Sequence, residues 1–196
     1  MSLFNLVSPR LVELGKVKVG GRGAERTSGE KKWRLPVKYD HFLIVGLSRN
    51  DAGDLAPDTD LMESLAEKYA DHDGKLRRLP VMVLSNDITD IVQARYCWYA
   101  GRRVAARSDG ETVTWYGDPA TMKFINEPRV EPWKPEYADL RDPKGAKLFK
   151  LHTIVNVVVA AATASFGGIY KFRTTSQISA SQIVGSLLNI QQLTGG

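Results

Sequence analysis

Along most of this chain hydrophobic and polar residues alternate in short runs, and in only two places do they repeat at helical spacing. Across residues 13–20, Val17 and Val19 alternate with Lys16 and Lys18, the period-two pattern of a half-buried strand. The β-branched and aromatic run 41–45, inside the apolar stretch 34–47, predicts a central strand. Leu61, Leu65 and Tyr69 then recur at helical spacing, with Asp60 as the predicted N-cap and Glu63 three residues on. Residues 75–85 predict a second buried strand, and Pro80 places its start there or puts it at a sheet edge. Between 93 and 117 the pattern is a strand pair. Tyr96, Trp98 and Val104 supply its apolar weight, Gly101 turns it, and Asp109-Gly110 signals a hairpin before a strand at 112–116.

Residues 119–143 hold Pro119, Pro128, Pro132 and Pro135 before Pro143, and predict a long ordered loop that pins Trp133 and Tyr137 at the surface. Two more strands are expected at 147–162 and 169–173, joined near Gly167 and Gly168. An amphipathic helix over 179–193 closes the pattern. Its apolar face is Ile183, Val184, Leu187, Leu188, Ile190 and Leu193, its cap Ser179 or Ser181, and its stop Gly195. The economical architecture is one α+β domain over residues 1–196: a mixed, largely antiparallel sheet with the C-terminal helix packed on one face.

A chain of 196 residues suffices for one well-formed core. Its most apolar run, 154–166, is broken by Asn156, Thr163 and Ser165, so it reads as a buried strand; a membrane span needs about 18 apolar residues. No membrane partner is expected, and the N-terminus lacks the pattern of a signal peptide. A single cysteine, Cys97, excludes an intramolecular disulfide and fits the cytoplasm. With only His41, His72 and His152 dispersed along the chain, no metal or other cofactor is expected.

Charge adds a partner class. Lys and Arg number 27 against 22 Asp and Glu, a net charge of +5, which permits a polyanion; the distribution of that charge decides. Residues 20–34 are rich in Gly, Arg, Lys and Ser and predict a mobile basic arm. Lys16, Lys18, Arg22, Arg26, Lys31, Lys32, Arg34 and Lys38 cluster there with Trp33 among them. Cations neutralise phosphates and release counterions, while a ring stacks on an exposed base. The same pattern also suits a solvated hairpin tip with Trp33 tucked into the core. A second set, Arg102, Arg103 and Arg107, flanks the strand at 104–106, and Lys171 and Arg173 alternate with Phe172. If those strands are neighbours, one sheet face carries a cationic stripe; if not, these are ordinary exposed charges.

No catalytic residue is assigned. Gly20-Gly21-Arg22-Gly23 lacks the Gly-Lys-Ser/Thr and the following helix of a phosphate loop, and no Gly-x-Ser-x-Gly occurs. Asp71-His72-Asp73-Gly74 falls where a helix ends, which favours a turn. Asp51, Asp54, Asp58 and Asp60 do not follow calcium-loop spacing, and Asp87 with Asp90 lacks a third ligand. His41, in an apolar strand, reads as a hydrogen-bonded core histidine.

Several short stretches taken in order carry a resemblance. Lys16-Val17-Lys18-Val19-Gly20 leads to Val37-Lys38-Tyr39-Asp40-His41-Phe42, and Leu79-Pro80-Val81 precedes an aspartate-rich turn. The stretch from Tyr96 to Gly101 leads into Arg107-Ser108-Asp109-Gly110-Glu111-Thr112. Gly167-Gly168-Ile169-Tyr170-Lys171-Phe172-Arg173-Thr174-Thr175-Ser176 comes last, followed by Gly185-Ser186-Leu187 and Ile190. This order resembles the phage recombination directionality factor family, accessory proteins of large serine integrases whose relatives are often labelled hydrolase or metal-binding protein. Many relatives carry a cysteine cluster between the Asp-Gly-Glu-Thr and Gly-Gly-x-Tyr motifs. This chain has none there, so a family metal site is not expected. The resemblance also implies chain beyond the helix that ends at Leu193, which makes this a shorter version or part of a longer protein.

What the resemblance implies is a protein without chemistry of its own, which binds its integrase on DNA and shifts which complex is stable. The leading expectation is therefore a recombination accessory protein, with Trp133, Tyr137 and the exposed edge of the last helix toward the partner and the basic residues toward DNA. The alternative is a sequence-independent single-stranded nucleic-acid binder, polymeric through self-association, that uses residues 16–38. A third reading is a metal-dependent hydrolase built on Asp87, Asp90 or Asp109. Asp109, Gly110, Arg173, Thr175 and Ser176 also read as turn and strand-end residues.

Overall fold

The computed structural model of the protein describes residues 12–159 and 168–194. Its strands are β1 (Val12–Ser28), β2 (Lys31–Arg49), β3 (Leu55–Pro57), β4 (Val81–Met82), β5 (Val92–Ala100), β6 (Arg103–Ser108), β7 (Thr112–Asp118), β8 (Lys123–Pro132), β9 (Lys150–Val159) and β10 (Gly168–Thr174). Its helices are α1 (Thr59–Tyr69), the short α2 (Ile88–Ile91) and α3 (Gln177–Thr194). The sheet is mixed and mostly antiparallel, so the protein is largely β with a C-terminal helix rather than evenly α+β. The chain divides into two compact units: Met1–Ser85 with Asn156–Phe172, and Asn86–Val155 with Arg173–Gly196.

In the first unit the strand order is β3-β2-β1-β10-β9, with β4 paired to β9, and β1 runs parallel to β10. Ile44, Val45 and Val17 are buried where β1 and β2 pair, and Leu65 of α1 is fully buried. The cap of α1 is Asp58, not Asp60: its carboxylate accepts from the Leu61 N–H at 3.3 Å. Asp60 falls in the first turn, where a negative charge still favours the helix N-terminus.

Residues 20–34, expected as an irregular arm, continue the ladder of β1 and β2. Arg22 pairs with Pro36, Glu25 with Arg34, Arg26 with Trp33 and Ser28 with Lys31, and the ribbon turns at Gly29 (φ +58°). A ribbon exposed on both faces shows no hydrophobic alternation, so its strands are silent to a periodicity reading. Residues 75–85 depart from expectation the other way. Only Val81 and Met82 form a strand, and Val81, Met82, Val83 and Leu84 are all exposed, while Leu76 is buried.

In the second unit, β9-β5-β6-β7-β8 is an antiparallel order whose last four members follow in sequence. The tight turns stand where the sequence put them, with Gly101 at φ +65° and Gly110 at φ +99°. The Asp109 carboxylate accepts from the Glu111 and Thr112 N–H groups at 2.9 and 2.8 Å, fixing the second turn. The proline-rich stretch contains β8 and a 3-10 turn, Pro135–Asp139. β8 ends the strand order, and an edge strand accommodates Pro128 and Pro132 because its outer side needs no ladder donor.

The core of this unit is Trp98, Ala105, Ala106, Val113, Trp115, Leu148 and Phe149. α3 does not complete it as expected. Of the six residues assigned to its buried face, Ile183, Val184 and Leu187 are half-buried and Leu188, Ile190 and Leu193 are exposed; its buried residue is Ala180. Its first turn is held by Ser176, whose hydroxyl accepts from the Ser179 N–H at 3.2 Å. The expected stop at Gly195, the glycine Gly167 and the far end of the 147–162 strand lie outside the described residues.

Candidate nucleic-acid interface

Strand alternation sorts the second unit into two faces. On β5, Tyr96 and Trp98 turn toward the aromatic core, so Gln93, Arg95, Cys97 and Tyr99 project from the other side. Register carries that side across the neighbours: Arg95 stands opposite His152, and Cys97 stands between Lys150 on one strand and Arg107 on the other. Arg107 in turn faces Thr114. A sheet whose back is packed with tryptophan thus presents a front of cations.

That front contains a cleft of about 370 Å³ lined by Gln93, Arg95, Cys97, Tyr99, Val104, Arg107, His152, Thr153, Ile154, Arg173, Thr174 and Thr175. Three arginines and a histidine line it, and no carboxylate does. Arg95 and Arg107 also line a smaller hollow of about 300 Å³ with Ser108, Asp109, Thr112 and Thr114. Arg95, Arg107, Lys150 and Arg173 are exposed, and none forms an ion pair with a described residue. The Arg107 guanidinium lies 5.8 Å from the centre of the Tyr116 ring.

The titratable groups in the cleft record this charge. Burial holds His152 below its ordinary pKa, and repulsion from Lys150 and Arg173 adds to the effect. Burial pushes the Cys97 thiol up, opposed by Arg95 and Arg107. Both groups are therefore neutral near pH 7, and the arginines and lysine carry the field. The Tyr99 ring is 47% exposed and packs at 5.3 Å against His152.

The cationic stripe expected from sequence forms only in part. Arg107 and Arg173 meet in the cleft, but Arg102 sits in the β5–β6 turn and Arg103 lies over the Phe124 ring at 4.1 Å. Lys171 is in the first unit, where it shares Glu13 with Lys16 at 2.6 and 3.7 Å. Arg95, Lys150, His152 and Tyr99 were not singled out from sequence; their signal was the outward period of Arg95-x-Cys97-x-Tyr99 and Lys150-x-His152.

Within residues 16–38, Lys16, Arg22, Lys32 and Arg34 lie within ion-pair distance of a carboxylate. Asp54 pairs with Arg22 and with Arg34, each at 3.2 Å, and Glu25 pairs with Lys32 at 3.6 Å and Arg34 at 3.8 Å. Partial burial holds Lys18 below its ordinary pKa, with Asp54 opposing. Arg26 and Lys38 stand exposed on the ribbon, Trp33 is 42% exposed rather than tucked into the core, and the side chain of Lys31 lies outside the described residues. Trp133 and Tyr137, expected at the surface, are half-buried against the aromatic core. Trp133 stacks on Tyr96 at 5.1 Å and meets Phe149 edge-on at 5.2 Å, and Tyr137 meets Trp115 edge-on at 5.4 Å.

Among the described residues, no group of three or more His, Cys, Asp and Glu could hold a metal ion. Asp87 caps α2, accepting from the Thr89 N–H and hydroxyl at 2.8 and 2.7 Å. Asp71 and Asp73 grip Arg77 at 3.0 and 2.7 Å, and Asp40 joins them at 3.1 Å. Hydrogen bonds from His41, Lys75 and Arg77 hold the Asp40 carboxyl well below the usual range. His41 is hydrogen-bonded as expected, at 2.8 Å to Asp40, but it is partly exposed and not a core residue.

A family model described as Gp3-like, recombination directionality factor-like, matches residues 14–196. The chain belongs to this family. The match runs through both units and includes every residue of the cationic cleft. It agrees with the resemblance carried by the motifs from Lys16 to Ile190, and it places the chain among phage recombination factors. Comparison with curated proteins found no match, and neither did comparison with solved structures. Among the described residues, no helix of this family member is long and apolar enough to cross a membrane.

Proposed function

We propose that the protein is a recombination accessory factor without chemistry of its own, working in the host cytoplasm on a serine integrase bound to DNA. The front of its second unit rests against the nucleic-acid backbone. One observation supports the DNA-facing part above the others: Arg95, Arg107, Lys150 and Arg173 share one sheet face without an acidic partner among the described residues. Unpaired exposed cations keep their full capacity to replace the counterions of a phosphate chain. On the β1–β2 ribbon, Arg22, Lys32 and Arg34 must first exchange Asp54 and Glu25, although such surface pairs are worth only about 0–1 kcal/mol each.

An accessory factor changes the direction of a reaction only by binding one state of the complex more tightly than another; equal affinity for both would shift nothing. Contacts to DNA and to the integrase together supply that difference. The test is an excision assay with the cognate integrase, run beside anisotropy with a labelled duplex carrying the recombination site. The Arg95→Ala/Arg107→Ala/Arg173→Ala variant is expected to lose duplex binding and excision together. Unchanged affinity and unchanged excision would remove this face from the mechanism. A second reading, a sequence-independent single-strand binder, is favoured by the exposed Trp33 with Arg26 directly across the ribbon. Tight single-strand binding lost on Trp33→Ala and insensitive to the three arginines would select it.

A further inference from the structure

We infer that the cleft on the cationic front is a pocket for one unpaired nucleotide, with its phosphate on Arg95, Arg107 and Arg173 and its base against the Tyr99 ring. The inference rests on the proposal that this face meets nucleic acid, and it names what the cleft itself takes.

Size is the first argument. A volume of about 370 Å³ is near the lower end of small-ligand sites, which run from roughly 300 to 1,000 Å³. A duplex can lie across such an opening but cannot enter it. Layout is the second. Arg95, Cys97 and Tyr99 follow one another along one side of β5, and at about 3.3 Å per residue the row from Arg95 to Tyr99 spans about 13 Å. Arg95 lies on that row and Arg107 stands across from Cys97. The exposed Tyr99 ring reaches back to His152, which stands across from Arg95, so cations and ring border one opening. A nucleotide carries the same two elements within one short reach, an anionic phosphate and a flat aromatic base.

Chemistry of the lining is the third. No carboxylate opposes an anion, and neutral Gln93 and Thr175 supply donors and acceptors for a base edge. His152 backs the Tyr99 ring and is neutral near pH 7, so it adds an aromatic wall without a further charge. A paired base keeps its faces inside the helical stack and cannot use the ring. The site therefore distinguishes an unpaired nucleotide from a duplex.

The same chemistry could arrive as an extruded nucleotide within a DNA chain or as a free nucleotide, and the test separates the two. Affinity is measured for a duplex with a single-nucleotide bulge, for the same duplex fully paired, and for free thymidine monophosphate as a competitor. The bulged duplex is expected to bind roughly tenfold more tightly than the paired one, within the range of base stacking on an aromatic side chain. Tyr99→Ala should collapse that ratio toward one, and Tyr99→Trp should restore it, which separates a stacking role from misfolding. Saturable competition by the monophosphate identifies the free nucleotide as a ligand too; preference for the bulge without such competition restricts the site to a chain nucleotide. Equal affinity for bulged and paired duplex, both bound, would overturn the pocket and leave the backbone contact standing. Binding to neither would overturn both.

Discussion

Glu131 offers the sharpest test of how the second unit is held together. One of its carboxylate oxygens accepts two hydrogen bonds, from the Trp115 indole N–H and from the Tyr137 hydroxyl, each at 2.8 Å. Trp115 is 1% exposed and packs edge-on against Trp98, Tyr137 and Phe149, and the Glu131 carboxylate is the acceptor of its N–H. Glu131→Ala strands that donor, and a buried donor left without a partner costs about 1–3 kcal/mol. We expect a loss of about 2 kcal/mol, on the order of 30-fold in the folding equilibrium. Glu131→Gln keeps a carbonyl acceptor at the same place and should lose clearly less. The Tyr137 hydroxyl, the Trp115 N–H and the charges of Arg129 and Lys134 all hold the Glu131 carboxyl below its ordinary value of 4.5. A lowered carboxyl pKa stabilises the fold fully above that ordinary value, and the contribution fades as pH falls through the folded value. The difference between wild type and Glu131→Ala should therefore shrink in acid. The assay is urea unfolding followed by tryptophan fluorescence, to which Trp98, Trp115 and Trp133 in this unit contribute. Equal stability of Glu131→Ala and wild type at pH 7 would refute the reasoning, as would a Gln variant no better than Ala.

Three further outcomes are expected. Replacing Arg95, Arg107 and Arg173 together by Ala should flatten the slope of log affinity against log salt for duplex DNA, by about 0.9 if they share one phosphate and by about 2.7 if they meet three; an unchanged slope would mean that none of them meets a phosphate. His152 has a folded pKa below its ordinary 6.5, so the unfolded chain binds more protons and its contribution to stability falls as pH drops below 6.5; His152→Phe should flatten unfolding midpoints between pH 7 and pH 5, and a profile matching wild type would count against the burial account. Gly15→Ala places a methyl group onto the Val45 carbonyl oxygen and the Tyr170 ring, and should destabilise the first unit by roughly 1–3 kcal/mol in denaturant titrations, whereas a neutral result would show that β1 shifts freely there.

The parts of the fold visible in sequence were those with one wet face and one dry face. β5, β6 and β7 set buried residues, Trp98, Ala106 and Trp115 among them, beside outward polar ones such as Arg95, Arg107 and Thr114, and the turns at Gly101 and Gly110 separate them, so period and punctuation agreed. Where that contrast vanished, the sequence lost its voice. The ribbon at 20–34 is wet on both faces, and its pairing comes from cross-strand backbone bonds and from Glu25 and Asp54 among the cations, none of which has a period. Residues 81–84 and α3 erred in the opposite sense: their apolar residues promised burial, yet Leu84, Ile190 and Leu193 remain 59%, 56% and 87% exposed. For the site, the sequence could name Arg107 and Arg173 but not their companions. Lys150 and His152 reach Arg95 and Arg107 only through the β9–β5–β6 register, a long-range pairing that local pattern does not encode.

The position of Cys97 turns the protein into its own reporter. It is the one sulfhydryl in the chain, and it lines the cationic cleft between Arg95 and Arg107. Burial raises its pKa, so slow alkylation by maleimides at neutral pH is expected, with mass spectrometry as the readout. Whatever fills the cleft must stand between reagent and sulfur. The alkylation rate therefore gauges occupancy directly, without an engineered label and without any assumption about what the occupant is.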